Sequence, residues 1–209
     1  MKSARQLSLY TQILVRNLLF AAFACVCATS VPAQTAAGQV TLTLDPAKSS
    51  LHWTLGSTLH TVHGTFNLKS GKMQFDPASG SASGEFVAYA TSGESGNEGR
   101  DKKMHKEILE SARFPDIIFR PSKIVGAVAM RGPCDVQLQG AFLLHGSQHE
   151  ITIPVHAELS GGVWKGSAKF SIPYVTWGLK SPNTFLLKAD PAVQIELELT
   201  GSLQRTTAP

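Results

Sequence analysis

The residues best equipped for chemistry in this 209-residue chain are His63, Arg100, Asp101 and His105. Asp101 and His105 are four apart, so on a helix they share a face. An Asp–His pair that catalyses acyl transfer also needs a nucleophile. Ser92, Ser95 and Ser111 are near in sequence, but none sits in the strand–turn–helix elbow that exposes a reactive serine. Two readings stand side by side. Arg100 offers a cation to an anionic group, with His105 beside it, or Arg100 and Asp101 fasten a helix and cap its first turn. Glu107 and Glu110 read as a solvated helix face.

Seven histidines also invite a metal reading. His60 and His63 are three apart, which on a regular strand puts them on opposite faces. His145 and His149 straddle a hairpin loop, yet zinc takes three or four protein ligands and nothing nearby supplies the rest. His156 lies on the polar face of its strand. No metal site is expected. Cys134 sits in Gly132-Pro133-Cys134-Asp135, beside an acid. A reactive thiolate needs an electropositive setting, so Cys134 reads as a packing residue.

These groups hang on a sheet-forming chain. Val193, Ile195, Leu197 and Leu199 alternate with Gln194, Glu196, Glu198 and Thr200. Ile151, Ile153, Val155 and Ala157 alternate with Thr152, His156 and Glu158, and Leu51, Trp53 and Leu55 with His52 and Thr54. Such runs have one apolar and one polar face. The pattern predicts strands at 40–44, 50–55, 61–68, 72–75, 82–89, 116–121, 123–130, 136–145, 150–159, 163–172 and 193–203. Gly146-Ser147-Gln148 and Ser160-Gly161-Gly162 read as hairpin loops. One helix is predicted over 97–112, capped by Asn97, with Met104, Ile108 and Ala112 on one face and Phe114-Pro115 at its end. The connection 173–192 carries Tyr174, Trp177, Phe185, Leu186 and Leu187, too apolar for a solvated loop. It must fold over the interior or insert into it.

Many antiparallel strands with one helix imply an all-β fold, a closed barrel or a sandwich. A barrel of about eight strands is filled by side chains or holds one small ligand. Phe66, Phe86, Phe142 and Phe170 face inward, but so do Gly64, Gly84, Ala88, Gly140, Ala157, Gly166 and Ala168. Either these small residues leave an internal channel, or the glycines let the sheet bend. Both remain open at this point. Trp177 is either a ligand contact or a plug for the barrel end.

The first residues read as a leader. Lys2, Arg5 and Arg16 precede the apolar run 18–28, and Val31-Pro32-Ala33 offers small residues for cleavage after Ala33. Residues 1–33 are thus expected to be a signal peptide and 34–209 one domain, periplasmic or secreted. The alternative is a retained anchor. Cys25 and Cys27 have poor lipoprotein contexts. The whole chain carries +4, but losing the leader leaves 16 cations against 15 anions. That balance gives no basic footprint for nucleic acid. Cys134 alone remains in 34–209, so no intramolecular disulfide forms there.

Four segments resemble the YceI-like family of secreted polyisoprenoid-binding proteins. They are Val62-His63-Gly64-Thr65-Phe66 with Gly71-Lys72-Met73-Gln74-Phe75-Asp76; Arg100-Asp101-Lys102-Lys103-Met104-His105 with Phe114-Pro115-Asp116-Ile117-Ile118-Phe119; Leu144-His145-Gly146 with Ile151-Thr152-Ile153-Pro154-Val155; and Phe170-Ser171-Ile172-Pro173 with Trp177-Gly178-Leu179. The resemblance implies an extended, lipocalin-like antiparallel β-barrel of about eight strands, with one helix in a long connection. It implies an apolar core that holds a long isoprenoid chain, such as a quinone tail or a polyprenyl lipid, and no other cofactor.

The expected ligand contacts are Phe66, Phe86, Ile117, Phe119, Gly140, Phe142 and Phe170 on the strands. Trp177 and Phe185 join them from the connection, and Arg100 meets the headgroup at the barrel mouth. Burial of a methylene is worth about 0.8 kcal/mol, so a long tail alone suffices for retention. Release then calls for a mobile lid, the helix or the connection 173–192. A transient membrane-surface contact would serve lipid exchange, and a homodimer is allowed. No catalysis is expected. The competing readings are an enzyme acting on a hydrophobic substrate through His63, Arg100, Asp101 and His105, and a ligand-free, stress-related structural barrel.

Overall fold

The computed structural model describes residues 38–206. The expected leader, 1–33, lies outside the described residues. Nine strands follow in order: β1 (Gln39–Leu44), β2 (Ser50–Leu55), β3 (Val62–Phe75), β4 (Ala82–Glu94), β5 (Asp116–Val125), β6 (Gly132–Leu144), β7 (Ser147–Ser160), β8 (Val163–Ile172) and β9 (Val193–Thr206). Helix α1 (Glu98–Lys103) joins β4 to β5 and runs directly into a π-helical turn, Met104–Ile108.

The strands close into an antiparallel barrel of eight staves. β1 and β2 together make one stave, because each pairs with β3 on one side and β9 on the other. A 3-10 turn at Pro46–Lys48 interrupts that stave. It is stitched back by Asp45 N–H donating to the Thr200 carbonyl (2.8 Å) and Thr200 N–H donating to Ser49 Oγ (3.2 Å).

The alternation expected on β2, β7 and β9 is present, with the apolar members inside. Two pairs of predicted strands are single strands. Ser70-Gly71 lies within β3, at a register shift between Leu68 and Ser70, and not in a turn. Residues 116–121 and the start of 123–130 are both β5, which shifts register after Pro121. Proline cannot donate to the ladder, so a bulge there is the physical solution. Both tight hairpins turn one residue earlier or tighter than expected. Leu144 pairs with Ser147 around His145-Gly146, and Ser160 pairs with Val163 around Gly161-Gly162. All four turn residues have positive φ, as two-residue hairpins with the sheet's twist require.

The helix ends earlier than the sequence predicts. Asn97 does cap it, its Oδ1 accepting from Arg100 N–H at 3.0 Å. The π turn then adds a residue, with Leu109 N–H donating to the Met104 carbonyl (2.9 Å). The inward face becomes Met104, Ile108 and Leu109, and Ala112 is exposed.

The interior has two apolar clusters. Leu109, Phe119, Phe142, Leu144, Ile153 and Ile172 pack at the end that carries α1, the 56–61 loop and the connection 173–192. Val40, Leu42, Leu44, Met73, Phe75 and Ile124 pack toward the other end. Val40 and Leu42 are the most completely buried of these, each worth about 1.5–3 kcal/mol over the exposed state.

Candidate functional site

Between and through these clusters runs a cavity of about 550 Å³. That falls in the range of about 300–1,000 Å³ common for small-molecule sites. Its wall is apolar almost throughout. Of the lining residues only Arg100, Lys103 and Glu158 carry full charge. The two cations stand on α1, and Glu158 lies near the β7–β8 turn at the opposite end.

Most of the expected ligand contacts reach this wall. Phe66, Phe86, Ile117, Phe119, Phe142 and Phe170 line the cavity, and Arg100 stands at its α1 end. The rings of Phe86, Phe119 and Phe142 form a row on adjacent staves, with successive centroids 6.4 Å apart. Adjacent strands bring them together because Phe86 pairs with Phe119 and Phe119 with Phe142.

Three expected contacts are elsewhere. Gly140 is not on the wall. A Cβ there would come within 2.2 Å of the Arg120 carbonyl oxygen, so the residue serves the close approach of β6 to the bulged β5. Trp177 stacks on His149 and packs on Phe142 at 5.7 Å, outside the cavity lining. Of its two readings, the geometry is that of a plug. Phe185 is 95 % exposed, because the connection turns its tip outward instead of inserting it.

The small inward residues serve both readings that composition left open. Ala88, Ala157, Gly166 and Ala168 line the cavity. Gly84, at φ +126°, would bring a Cβ within 2.2 Å of the Lys72 carbonyl, so it belongs to the bending of the sheet. Gly64 and Gly166 make room for the indoles of Trp53 and Trp164.

Several lining residues were not anticipated as contacts. Met104, Ile108 and Leu109 close the cavity from the helical segment, and Tyr174 and Leu179 from the connection. The 104/108 spacing was the available signal. Leu109 had none, since the π turn that swings it inward leaves no trace in a 3.6-residue period. Trp53 also lines the cavity, and its buried indole Nε1 has no hydrogen-bond partner among the described residues.

The polar constellation does not converge. His63 is exposed on the outer face, where Nδ1 lies 2.9 Å from Thr54 Oγ1. Ser95 binds both neighbours in the helix: its Oγ donates to the Asp101 carboxylate and accepts from Arg100 Nε at 2.7 Å, and its carbonyl accepts from Arg100 Nη2 at 3.0 Å. Arg100 and Asp101 therefore do fasten the helix start, and Arg100 still borders the cavity. His105 Nε2 donates to the Gly93 carbonyl (2.8 Å), and Nδ1 pairs with the buried Ser111 hydroxyl (2.9 Å). Both ring nitrogens are thereby engaged, Nε2 holding the π turn to β4 and Nδ1 tying it to the segment that follows. His145 sits against Phe114 and near Glu110, and His149 against Trp177. Among the described residues no three His, Cys, Asp or Glu side chains gather as a metal site would require.

The connection 173–192 is anchored as a cover. Tyr174 Oη donates to the Asp190 carbonyl at 2.8 Å, and Ser57 bridges Ala189. Burial pushes the Tyr174 phenol above its ordinary pKa, so it keeps its proton and its donor role.

The profile of the YceI-like domain matches residues 42–201. Among solved structures, BcnA of Burkholderia cenocepacia has 19% identity and a TM-score of 0.62, covering 75% of this chain and 98% of that one. A polyisoprenoid binding domain from Saccharophagus degradans, implicated in plant cell wall breakdown, has 15% identity and a TM-score of 0.59, covering 78% and 98%. The YCEI protein of Campylobacter jejuni has 15% identity and a TM-score of 0.54, covering 72% and 88%. At these identities the likeness is one of fold. No curated protein matches the chain.

Proposed function

The chain belongs to the YceI-like family, and from that premise we propose that its barrel binds an amphiphilic polyisoprenoid lipid of quinone or polyprenyl type. The tail occupies the internal cavity, and the headgroup stands at the α1 end beside Arg100 and Lys103. The bound lipid is carried, stored or sequestered outside the cytoplasm, a location that rests on the leader-like residues 1–33. No other cofactor is invoked.

One observation carries this reading: a cavity of about 550 Å³ with an almost wholly apolar wall and its only cations at one end. Such polarity matches a molecule with a long apolar body and one polar terminus. The relative from Saccharophagus degradans, described as a polyisoprenoid binding domain, supports the same ligand class. Binding without catalysis fits the polar groups, since His63 faces outward and both nitrogens of His105 are engaged.

Mass spectrometry of an organic extract of the purified protein tests the proposal. A stoichiometric isoprenoid lipid is the expected result. Protein that is lipid-free, and that takes up no polyprenyl probe offered in detergent micelles, would overturn it. Arg100→Gln should keep the tail bound while weakening any preference for a charged or carbonyl headgroup.

A further inference from the structure

Three large apolar side chains are displayed to solvent at the end of the barrel where α1 lies. Phe185 is 95 % exposed, Leu186 74 % and Leu59 65 %. Single exposed apolar residues are ordinary on a protein surface. Here a phenylalanine and a leucine are adjacent at a turn tip, and the turn is held in shape. Thr184 N–H donates to the Leu187 carbonyl (2.9 Å), Leu187 N–H to Thr184 Oγ1 (3.2 Å), and Ala189 N–H to Asn183 Oδ1 (2.7 Å). The loop carrying Leu59 is tied to the same segment, with Thr58 N–H donating to the Lys188 carbonyl (2.9 Å) and Lys188 N–H donating to Thr58 Oγ1 (3.1 Å).

The display borders the cavity. Pro182, Leu187 and Ala189 flank the tip and line the cavity, and His60 does so next to Leu59. Lys180 and Lys188 bracket the tip, and neither is in an ion pair among the described residues. An apolar tip flanked by two lysines is the chemistry of an interfacial membrane anchor, which places its apolar groups below the headgroups and its cations among anionic lipids.

We propose that Phe185, Leu186 and Leu59 insert into the surface of a lipid bilayer and seat the cavity mouth on it, so that ligand passes between bilayer and barrel without crossing water. This deepens the proposed function and rests on it. The occupant is a membrane surface. A second copy of the chain is the outcome that would displace it.

The test pairs the wild-type protein with F185S/L186S, whose substituted side chains lie outside the cavity lining. Both are sedimented with vesicles of phosphatidylcholine alone and of phosphatidylcholine mixed with phosphatidylglycerol. The wild type should bind the mixed vesicles, and F185S/L186S should bind about ten-fold more weakly. Loading of a polyprenyl probe from vesicles should slow by a similar factor in the variant, while loading from detergent micelles stays unchanged. K180Q/K188Q should lose the advantage of the anionic vesicles. Wild-type protein that ignores both vesicles, or a variant that binds and loads like wild type, overturns the proposal. So does a wild-type dimer, dissolved by F185S/L186S, that has no vesicle affinity. Failure of both proteins to load from micelles would instead count against lipid binding, with the vesicle sedimentation still judging the anchor.

Discussion

Trp177 lies flat on His149, the ring centroids 4.2 Å apart and the planes within 1° of each other. His149 is opposite Phe142 in the β6–β7 ladder, and Phe142 also touches the indole. A residue of the connection is thus clamped to two residues of the barrel wall. Replacing it with alanine removes both contacts. Trp177→Ala should destabilise the fold by about 2 kcal/mol, below the range for a fully buried tryptophan because this one is half-buried. Urea denaturation reads the loss, and a preloaded polyprenyl probe should leave the variant faster.

Ala168 and Gly140 are both small, yet they should fail differently. Ala168 lines the cavity beside Val155 and Leu197. Ala168→Phe should reduce uptake of a polyprenyl probe at least several-fold while the protein stays folded. Gly140 faces the backbone of β5, not the cavity. Gly140→Ala should cost about 1–3 kcal/mol of stability through overpacking. The affinity of the folded fraction should be unchanged. Circular dichroism and probe titration on both variants separate the two roles.

His105 should behave as a tie. His105→Ala leaves the Gly93 carbonyl and the buried Ser111 hydroxyl without partners. A loss of about 1–3 kcal/mol is expected for such orphaned groups. Hydrogen exchange should quicken over residues 98–114 first, with the remote β7–β8 hairpin unaffected. A turnover of some hydrophobic substrate that vanished without this loosening would support the enzyme reading.

Tyr174 supplies the pH dependence of the cover. Its folded pKa is raised by burial, so the folded state holds the phenolic proton more tightly than the unfolded chain. The associated stability is complete below the unfolded pKa, near 10, and is lost as the pH rises through the folded value. Tyr174→Phe should cost about 1 kcal/mol near neutrality and flatten the alkaline limb of a stability–pH curve.

The strands were legible where a single rule governed them. Ile151 to Ala157 and Val193 to Leu199 alternate, and they pack as that alternation demands. Turn chemistry misled where it coincided with bulge chemistry. Ser70-Gly71 and Pro121 punctuate the sequence like strand ends, yet the ladder absorbs them as register shifts within β3 and β5. The aromatic row of the site was legible because Phe86, Phe119 and Phe142 share the inward parity of their strands. Phe185 and Trp177 were not, because an irregular connection has no period. The path of that connection is held by hydrogen bonds such as Lys188 N–H to Thr58 Oγ1, which join residues far apart in the chain. Leu109 escaped because a π turn shifts the helix face by one residue.

The shared stave of β1 and β2 has a consequence for assembly. Gln39 is opposite Thr206 and Ser50 is opposite Glu198, so the seam joins segments some 150 residues apart. A nascent chain still lacking 193–206 has only an open sheet with two unpaired edges. Partnerships this remote in sequence form slowly. The container closes only when its final plank, β9, joins β1, β2 and β8, so its hollow does not exist before that strand has been made.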